Sequence, residues 1–112
     1  MAKLKRLVIA LALSMASIAA GAQPAEDALV IDTRSPAEYA QGHVEGAVLI
    51  PYDGIEAGIL KVTQDKDATI YLYCGSGGRA EIARKRLTQQ GFKNVTNLGG
   101  IADAKNFLAD EE

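Results

Sequence analysis

The sequence contains a single cysteine, Cys74, which is separated by four residues from Arg79. The residues between them are Gly75, Ser76, Gly77 and Gly78. Glycine-rich turns can direct successive backbone N–H groups into a concave site that binds an anion. Together with the arginine charge, such N–H groups favour the thiolate form of cysteine, which is the nucleophile. The loop 74–79 is therefore a candidate for nucleophilic chemistry at the sulfur of Cys74.

The loop alone leaves other interpretations open. Glycine-rich turns between a strand and a helix are common in α/β proteins, so Cys74 could be an inert residue at a strand end. A phosphate-binding P-loop is excluded because no Gly-Lys-Ser/Thr sequence follows. A Cys-x-x-Cys redox pair is excluded because the chain has no second cysteine.

Short apolar runs alternate with helical patterns along the chain and indicate how the loop is positioned. The patterns predict strands at 28–31, 48–50, 69–73 and 94–98, and helices at 36–41, 53–61, 80–90 and 101–108. A turn is predicted at 99–100. This alternation is typical of an α/β domain with a mainly parallel central sheet flanked by helices. The strand 69–73 leads into Cys74, at the carboxyl edge of the sheet where sites form in such folds.

Several helix ends carry recognisable capping signals. Ser35 and Glu38 have the spacing of a capping box at the first helix. Gly91 is placed to end the helix 80–90 in a Schellman motif. On that helix, Glu81 precedes Lys85 by one turn, and the spacing predicts an ion pair between them.

The first 22 residues have the pattern of a secretory signal peptide. Lys3, Lys5 and Arg6 precede an apolar run over 7–20, and Ala20-Gly21-Ala22 supplies the small residues of a cleavage site. The run is shorter than the roughly 20 residues that a membrane-spanning helix needs. We therefore expect residues 1–22 to be removed rather than retained as an anchor, which would place the product in the periplasm of a Gram-negative cell.

The remaining residues, 23–112, are enough for one domain with one modest core. The full chain carries 12 basic and 14 acidic side chains. Because the removed segment holds three of the basic ones, the mature chain has a net charge of −5. An acidic chain is not expected to bind nucleic acid or a membrane surface. We expect a monomer without an intrachain disulfide.

Several blocks of the sequence resemble the rhodanese family. The blocks are Asp32-Thr33-Arg34, Glu38-Tyr39, Gly42-His43-Val44-Glu45-Gly46-Ala47, Ile50-Pro51, the loop 74–79 and Leu98-Gly99-Gly100-Ile101. The resemblance extends from about 28 to 104 and includes the spacing between blocks. It is strongest to the exported single-domain thiosulfate sulfurtransferases, and it implies one rhodanese-like domain over 23–112.

The resemblance implies a ping-pong sulfur transfer through Cys74. In this family the thiolate takes the outer sulfur of thiosulfate, sulfite leaves, and the persulfide passes its sulfur to cyanide or a thiol. The amides of 75–79 would cradle the persulfide, and Arg79 would help to hold the donor. The partners would be small molecules, and neither a metal nor an organic cofactor is needed. Asp32 and Arg34 are expected to form a supporting ion pair near the loop.

Two family positions bear on this interpretation. His43 could act as a base beside Cys74, but the family pattern favours a structural turn. Ala104 stands where the family often has tryptophan, which leaves open how the C-terminal part packs.

Three alternative functions follow from the same residues. The uncharged 75–77 segment resembles that of mercaptopyruvate-using relatives, so that donor is an alternative to thiosulfate. A persulfide carrier or partner-binding module of the same fold is a second alternative. Phosphatases of this fold have five residues between cysteine and arginine; the four found here would make a smaller cradle and disfavour that activity.

Overall fold

The computed structural model describes residues 24–109, which contain four strands and four α-helices. The strands are β1 (Leu29–Asp32), β2 (Val48–Leu49), β3 (Thr69–Cys74) and β4 (Asn94–Gly100). The helices are α1 (Pro36–Gln41), α2 (Ile55–Leu60), α3 (Gly78–Gln90) and α4 (Ile101–Ala109), and a 3₁₀ turn (Tyr52–Gly54) precedes α2. The expected signal peptide, residues 1–22, lies outside the described residues.

The four strands form one parallel sheet in the order β2-β1-β3-β4. The predicted α/β class with a parallel central sheet is confirmed. Central strand β3 has β1 on one side and β4 on the other, and it runs from Thr69 to the nucleophile candidate. Its register with β4 shifts after Leu72, so that Cys74 pairs with Gly100. Such irregularities redirect a strand end, and this one lies where β3 passes into the loop 74–79.

Alternate residues of β3 face opposite sides of the sheet, as the two-residue period of a strand requires. Ile70, Leu72 and Cys74 belong to the core cluster that includes buried residues of α2 and α3. Tyr73 belongs to the cluster on the other side, with Ala104 of α4. Helices thus cover both faces of the sheet, and both faces of β3 are buried.

The predicted capping motifs are present. Ser35 and Glu38 form a reciprocal capping box. Gly91 is left-handed with a φ of 110°, and the Phe92 N–H donates to the Leu87 carbonyl, which completes a Schellman motif.

Three local predictions need correction. Helix α3 begins at Gly78 rather than at residue 80. Strand β4 continues through the predicted turn at 99–100, because its end pairs with the end of β3. Glu81 pairs with Arg84, at an Oε2–Nη2 distance of 2.6 Å, rather than with Lys85. Within residues 24–109, no helix combines the length and the hydropathy that crossing a membrane would require.

Candidate active site

Cys74 lies at the carboxyl end of β3 and is 1% exposed. Its Sγ accepts a hydrogen bond from the backbone N–H of Gly77 at 2.9 Å. Gly77 has a φ of +103°, a left-handed conformation that side chains disfavour, and it is the N-cap of α3. The turn that sequence reasoning singled out therefore folds back over its own cysteine and directs a backbone donor at the sulfur.

The environment of Cys74 has two opposed effects on the pKa of its thiol. Burial raises the pKa, since it disfavours the charged form. The backbone N–H groups of Ala80, Ser76, Gly77 and Arg79 lower the pKa, and that of Gly77 makes the hydrogen bond to the sulfur. The donors outweigh burial, so the pKa of Cys74 lies below that of a free thiol. The largest favourable effects on the thiolate come from the backbone of the loop and the first turn of α3, and attraction between the Arg79 guanidinium and Cys74 adds to them.

Strand β4 supports the loop through two glycines. A Cβ added to Gly100 would lie 2.5 Å from the carbonyl oxygen of Gly75. A Cβ added to Gly77 would lie 3.3 Å from the Cα of Gly99. The Leu98-Gly99-Gly100-Ile101 block therefore allows the backbone of β4 to approach the loop closely.

Arg79 closes the loop and forms a bidentate ion pair with Glu38 of α1. Nη1 lies 2.8 Å from Oε1, and Nη2 lies 3.2 Å from Oε2. The Arg79 guanidinium, and then the Ser35 backbone N–H, lower the pKa of Glu38 to about 2. Glu38 was predicted as a capping residue only. Its capping role could be derived from local spacing, whereas its contact with a residue 41 positions later could not.

Asp32 and Arg34, the expected supporting pair, lie together at the end of β1. Arg34 Nε and Nη2 donate to the two carboxylate oxygens of Asp32 at 3.0 and 2.9 Å, and Nη2 also donates to the Gly42 carbonyl at 2.6 Å. Asp32 is fully buried, and Arg34 is 8% exposed. The pair thus connects Gly42, the first residue of the 42–47 block, to the end of β1.

Tyr73, the residue before Cys74, is hydrogen-bonded to this ion pair. Its hydroxyl donates to Asp32 Oδ2 at 2.8 Å and accepts the Val44 N–H at 2.9 Å. Burial raises the pKa of Tyr73 to about 12. The Tyr73 carbonyl accepts from the N–H of Thr33 at 3.0 Å and from its Oγ1 at 2.8 Å. Hydrogen bonds to the side chain and to the main chain of Tyr73 thus fix the backbone that leads into Cys74.

His43 lies in a turn and contacts Tyr39. Its ring stacks on the Tyr39 ring with centroids 3.6 Å apart, and Nδ1 lies 2.8 Å from the Tyr39 carbonyl oxygen. The side chain is exposed. These contacts fit the structural role favoured for this residue. Ala104, at the position of the usual tryptophan, is fully buried beside Tyr73.

An open groove of about 320 Å³ lies on the outer side of Arg79. Its walls are formed by Thr33, Arg34, Ser35, Pro36, Pro51, Tyr52, Asp53 and Arg79. Both arginines are paired with carboxylates, so Asp53 contributes the uncompensated charge of the groove. Across residues 24–109, no group of three or more His, Cys, Asp or Glu side chains is arranged to hold a metal ion.

Comparison with known proteins places this architecture in a family. A family model described as a rhodanese-like domain matches residues 16–106. Thiosulfate sulfurtransferase PspE of Escherichia coli is 37% identical over 73 residues, which are 65% of this chain and 70% of that protein. A sulfurtransferase of Allochromatium vinosum is 43% identical over 77 residues, which are 68% and 70% of the two chains.

A solved structure gives the same result. The structure described as rhodanese with anions from E. coli has a TM-score of 0.65 and 36% identity, and the match covers 67% of this chain and 88% of that one. The family model spans most of the sequence, including Cys74 and Arg79. The chain therefore belongs to the rhodanese-like sulfurtransferase family.

Proposed function

We propose that the protein is an exported thiosulfate sulfurtransferase that works through a Cys74 persulfide. The observation that carries the proposal is the buried Sγ of Cys74, which receives the Gly77 N–H at 2.9 Å in a loop that lowers the pKa of the thiol. A cysteine whose thiolate form is favoured by fixed N–H donors suits attack on sulfur. Similarity to a protein named thiosulfate sulfurtransferase supports the choice of donor.

The proposed first step transfers one sulfur atom without any external oxidant or reductant. The Cys74 thiolate attacks the outer sulfur of thiosulfate, a new S–S bond forms, and the S–S bond of thiosulfate breaks. Sulfite leaves with the electron pair of that bond, and Cys74 retains a negatively charged persulfide. In the proposed intermediate the loop amides that favour the thiolate would also cradle the persulfide and stabilise its charge.

In the second step a thiophilic acceptor attacks the outer sulfur of the persulfide. Cyanide yields thiocyanate, a thiolate yields a new persulfide, and in both cases the Cys74 thiolate is regenerated. Attack at the outer sulfur, rather than at Sγ, is the step that releases the Cys74 thiolate. The donor and the acceptor are both proposed to be small molecules.

Mercaptopyruvate is the second candidate donor, and the Arg79–Glu38 pair favours it. Arg79 is the one charged side chain of the loop, and the bidentate contact with Glu38 already compensates its charge. A monoanionic donor requires less positive charge than the thiosulfate dianion. The fold of the loop is compatible with either donor, because the atom transferred is the same.

Intact mass spectrometry of the mature chain tests the proposal. Incubation with thiosulfate is expected to add one sulfur atom, and Cys74→Ser is expected to abolish the addition, since the sequence has no other cysteine. Thiocyanate should then form when cyanide is added. Addition of sulfur from mercaptopyruvate but not from thiosulfate would change the donor. Addition from neither would leave a partner-binding module, and phosphate release from an aryl phosphate would indicate a phosphatase.

Export is part of the proposal and rests on the N-terminal pattern. Expression in a Gram-negative host, followed by fractionation, should yield a periplasmic protein that begins at Gln23. A product that retains Lys3, Lys5 and Arg6 would contradict cleavage. Size-exclusion chromatography of the mature chain is expected to give a monomer.

A further inference from the structure

Asn97 of β4 contacts the loop 74–79 although it lies 18 residues beyond Arg79 in the sequence. Its Nδ2 donates to the Gly77 carbonyl at 2.9 Å, and its Oδ1 accepts the Gly99 N–H at 2.8 Å. Nδ2 also lies 3.3 Å from Glu81 Oε1. The side chain therefore joins the loop, the end of β4 and the first turn of α3 in one set of hydrogen bonds.

Gly77 is the residue on which these contacts act. Its N–H donates to Cys74 Sγ, while its carbonyl accepts from Asn97 and from the Glu81 N–H at 3.0 Å. The N–H and the carbonyl of Gly77 belong to successive peptide units, whose relative orientation depends on φ and ψ of Gly77, and at a φ of +103° glycine has no side chain to restrict these angles. A contact to the carbonyl therefore restrains the direction of the N–H, and Asn97 supplies one from β4.

We propose that Asn97 is a positioning residue that holds Gly77 in the conformation in which its N–H is directed at the sulfur of Cys74. The Glu81 N–H alone restrains the carbonyl along the axis of α3. Asn97 donates to the same carbonyl from β4, across that axis. Because Asn97 also accepts the Gly99 N–H, it links the Gly77 carbonyl to Gly99, whose backbone packs against Gly77. The expected effect of Asn97 on sulfur transfer rests on the proposed function. The expected effect of Asn97 on the Cys74 thiolate does not depend on that function.

Titration of the Cys74 thiolate in Asn97→Ala measures how much the Asn97 side chain contributes to stabilising that thiolate. The ultraviolet absorbance of the thiolate is followed against pH, with Cys74→Ser as the blank that removes the tyrosine contribution. Weakening a hydrogen bond to the charged form should raise the midpoint by about one pH unit. At a pH below the wild-type midpoint, sulfur uptake from thiosulfate should then be about tenfold slower, because about tenfold less thiolate is present. Uptake should approach the wild-type rate at higher pH, which a merely structural defect would not produce.

Asn94→Ala is the matched control on the same strand. Asn94 also donates through Nδ2 to a backbone carbonyl, that of Asp67, at 2.9 Å, but at the opposite end of β4. Its substitution should leave the midpoint unchanged. The charged groups in contact with the loop and its supports remain the same in both alanine variants: Arg79, Glu81, Glu38 and Asp103.

Asn97→Leu provides a second measurement if the alanine variant fails to fold. Leucine has approximately the shape of asparagine and adds no charge, but it cannot donate to the Gly77 carbonyl. An upward shift of the midpoint in this variant therefore reports the lost donor. A midpoint that matches wild type in the folded Asn97 variants would overturn the proposal. Absence of sulfur uptake with the shift present would overturn only the proposed function.

Discussion

Replacement of Tyr73 by phenylalanine tests whether the buried network behind Cys74 stabilises the fold. The substitution removes one oxygen and keeps the ring in its core cluster. That oxygen donates to Asp32 Oδ2 at 2.8 Å and accepts the Val44 N–H at 2.9 Å. Tyr73 and Asp32 are fully buried, and Val44 is 8% exposed, so water cannot readily replace either bond.

The expected cost follows from these two bonds. A hydrogen bond to a charged group contributes roughly 1.5–3 kcal/mol, and a buried donor left without a partner costs roughly 1–3 kcal/mol. The two effects share one atom and are not additive. We expect Tyr73→Phe to lower the free energy of unfolding by about 2–4 kcal/mol. Arg34 still pairs with the carboxylate, so the protein should remain folded.

Tyr71→Phe is the control, two residues earlier on the same strand. The Tyr71 hydroxyl accepts one hydrogen bond, from the Ala25 N–H, at a partly buried position. Its loss should cost about 1 kcal/mol or less. Urea unfolding of the mature chain, followed by far-ultraviolet circular dichroism, gives both values, and the slope m should be the same for the two variants. If Tyr73→Phe costs no more than Tyr71→Phe, the hydroxyl does not support the buried carboxylate and the reasoning is refuted.

Three further predictions concern the loop. Gly100→Ala brings a Cβ to 2.5 Å from the Gly75 carbonyl oxygen, and should destabilise the fold by about 1–3 kcal/mol and slow sulfur uptake; Gly54→Ala, where a Cβ meets no atom within 4 Å, should change neither. Because the fold lowers the pKa of Cys74, the native state should gain stability as pH rises from the folded pKa to the unfolded one and lose it as pH falls through the folded pKa; Cys74→Ser should remove this dependence from urea titrations. Arg79→Lys keeps the charge but not the two parallel hydrogen bonds, and should lower kcat/KM for thiosulfate by about tenfold or more, measured as thiocyanate formation.

Sequence patterns predicted those features that depend on neighbouring residues. The capping box of Ser35 and Glu38 and the Schellman motif at Gly91 each involve atoms within a few positions of one another. The strand β3 was evident because β-branched and aromatic residues that are buried on both faces form a continuous run. Alternation of strands and helices was enough to predict a parallel sheet with the loop at its carboxyl edge.

Contacts set by the packing of distant elements were not predictable in the same way. The bond from Asn97 to Gly77 joins residues 20 positions apart, and it depends on how closely two glycine-containing backbones approach. The ion pair of Glu81 shows the same difficulty over a shorter distance. Helical spacing allows Glu81 to pair with a basic residue three or four positions later. The contact with Asn97 fixes the rotamer of Glu81, and that rotamer selects Arg84.

The structure also changes the account of how the cysteine is activated. The sequence indicated two sources of positive potential, the glycine-rich backbone and Arg79. In the structure Arg79 is paired with Glu38 while still attracting the Cys74 thiolate, and the backbone N–H groups have the largest favourable effect on the pKa of Cys74. A thiolate stabilised mainly by peptide groups depends on loop geometry more than on side-chain charge. Residues that fix that geometry from outside the loop should therefore influence the reaction as strongly as the charged residue within it.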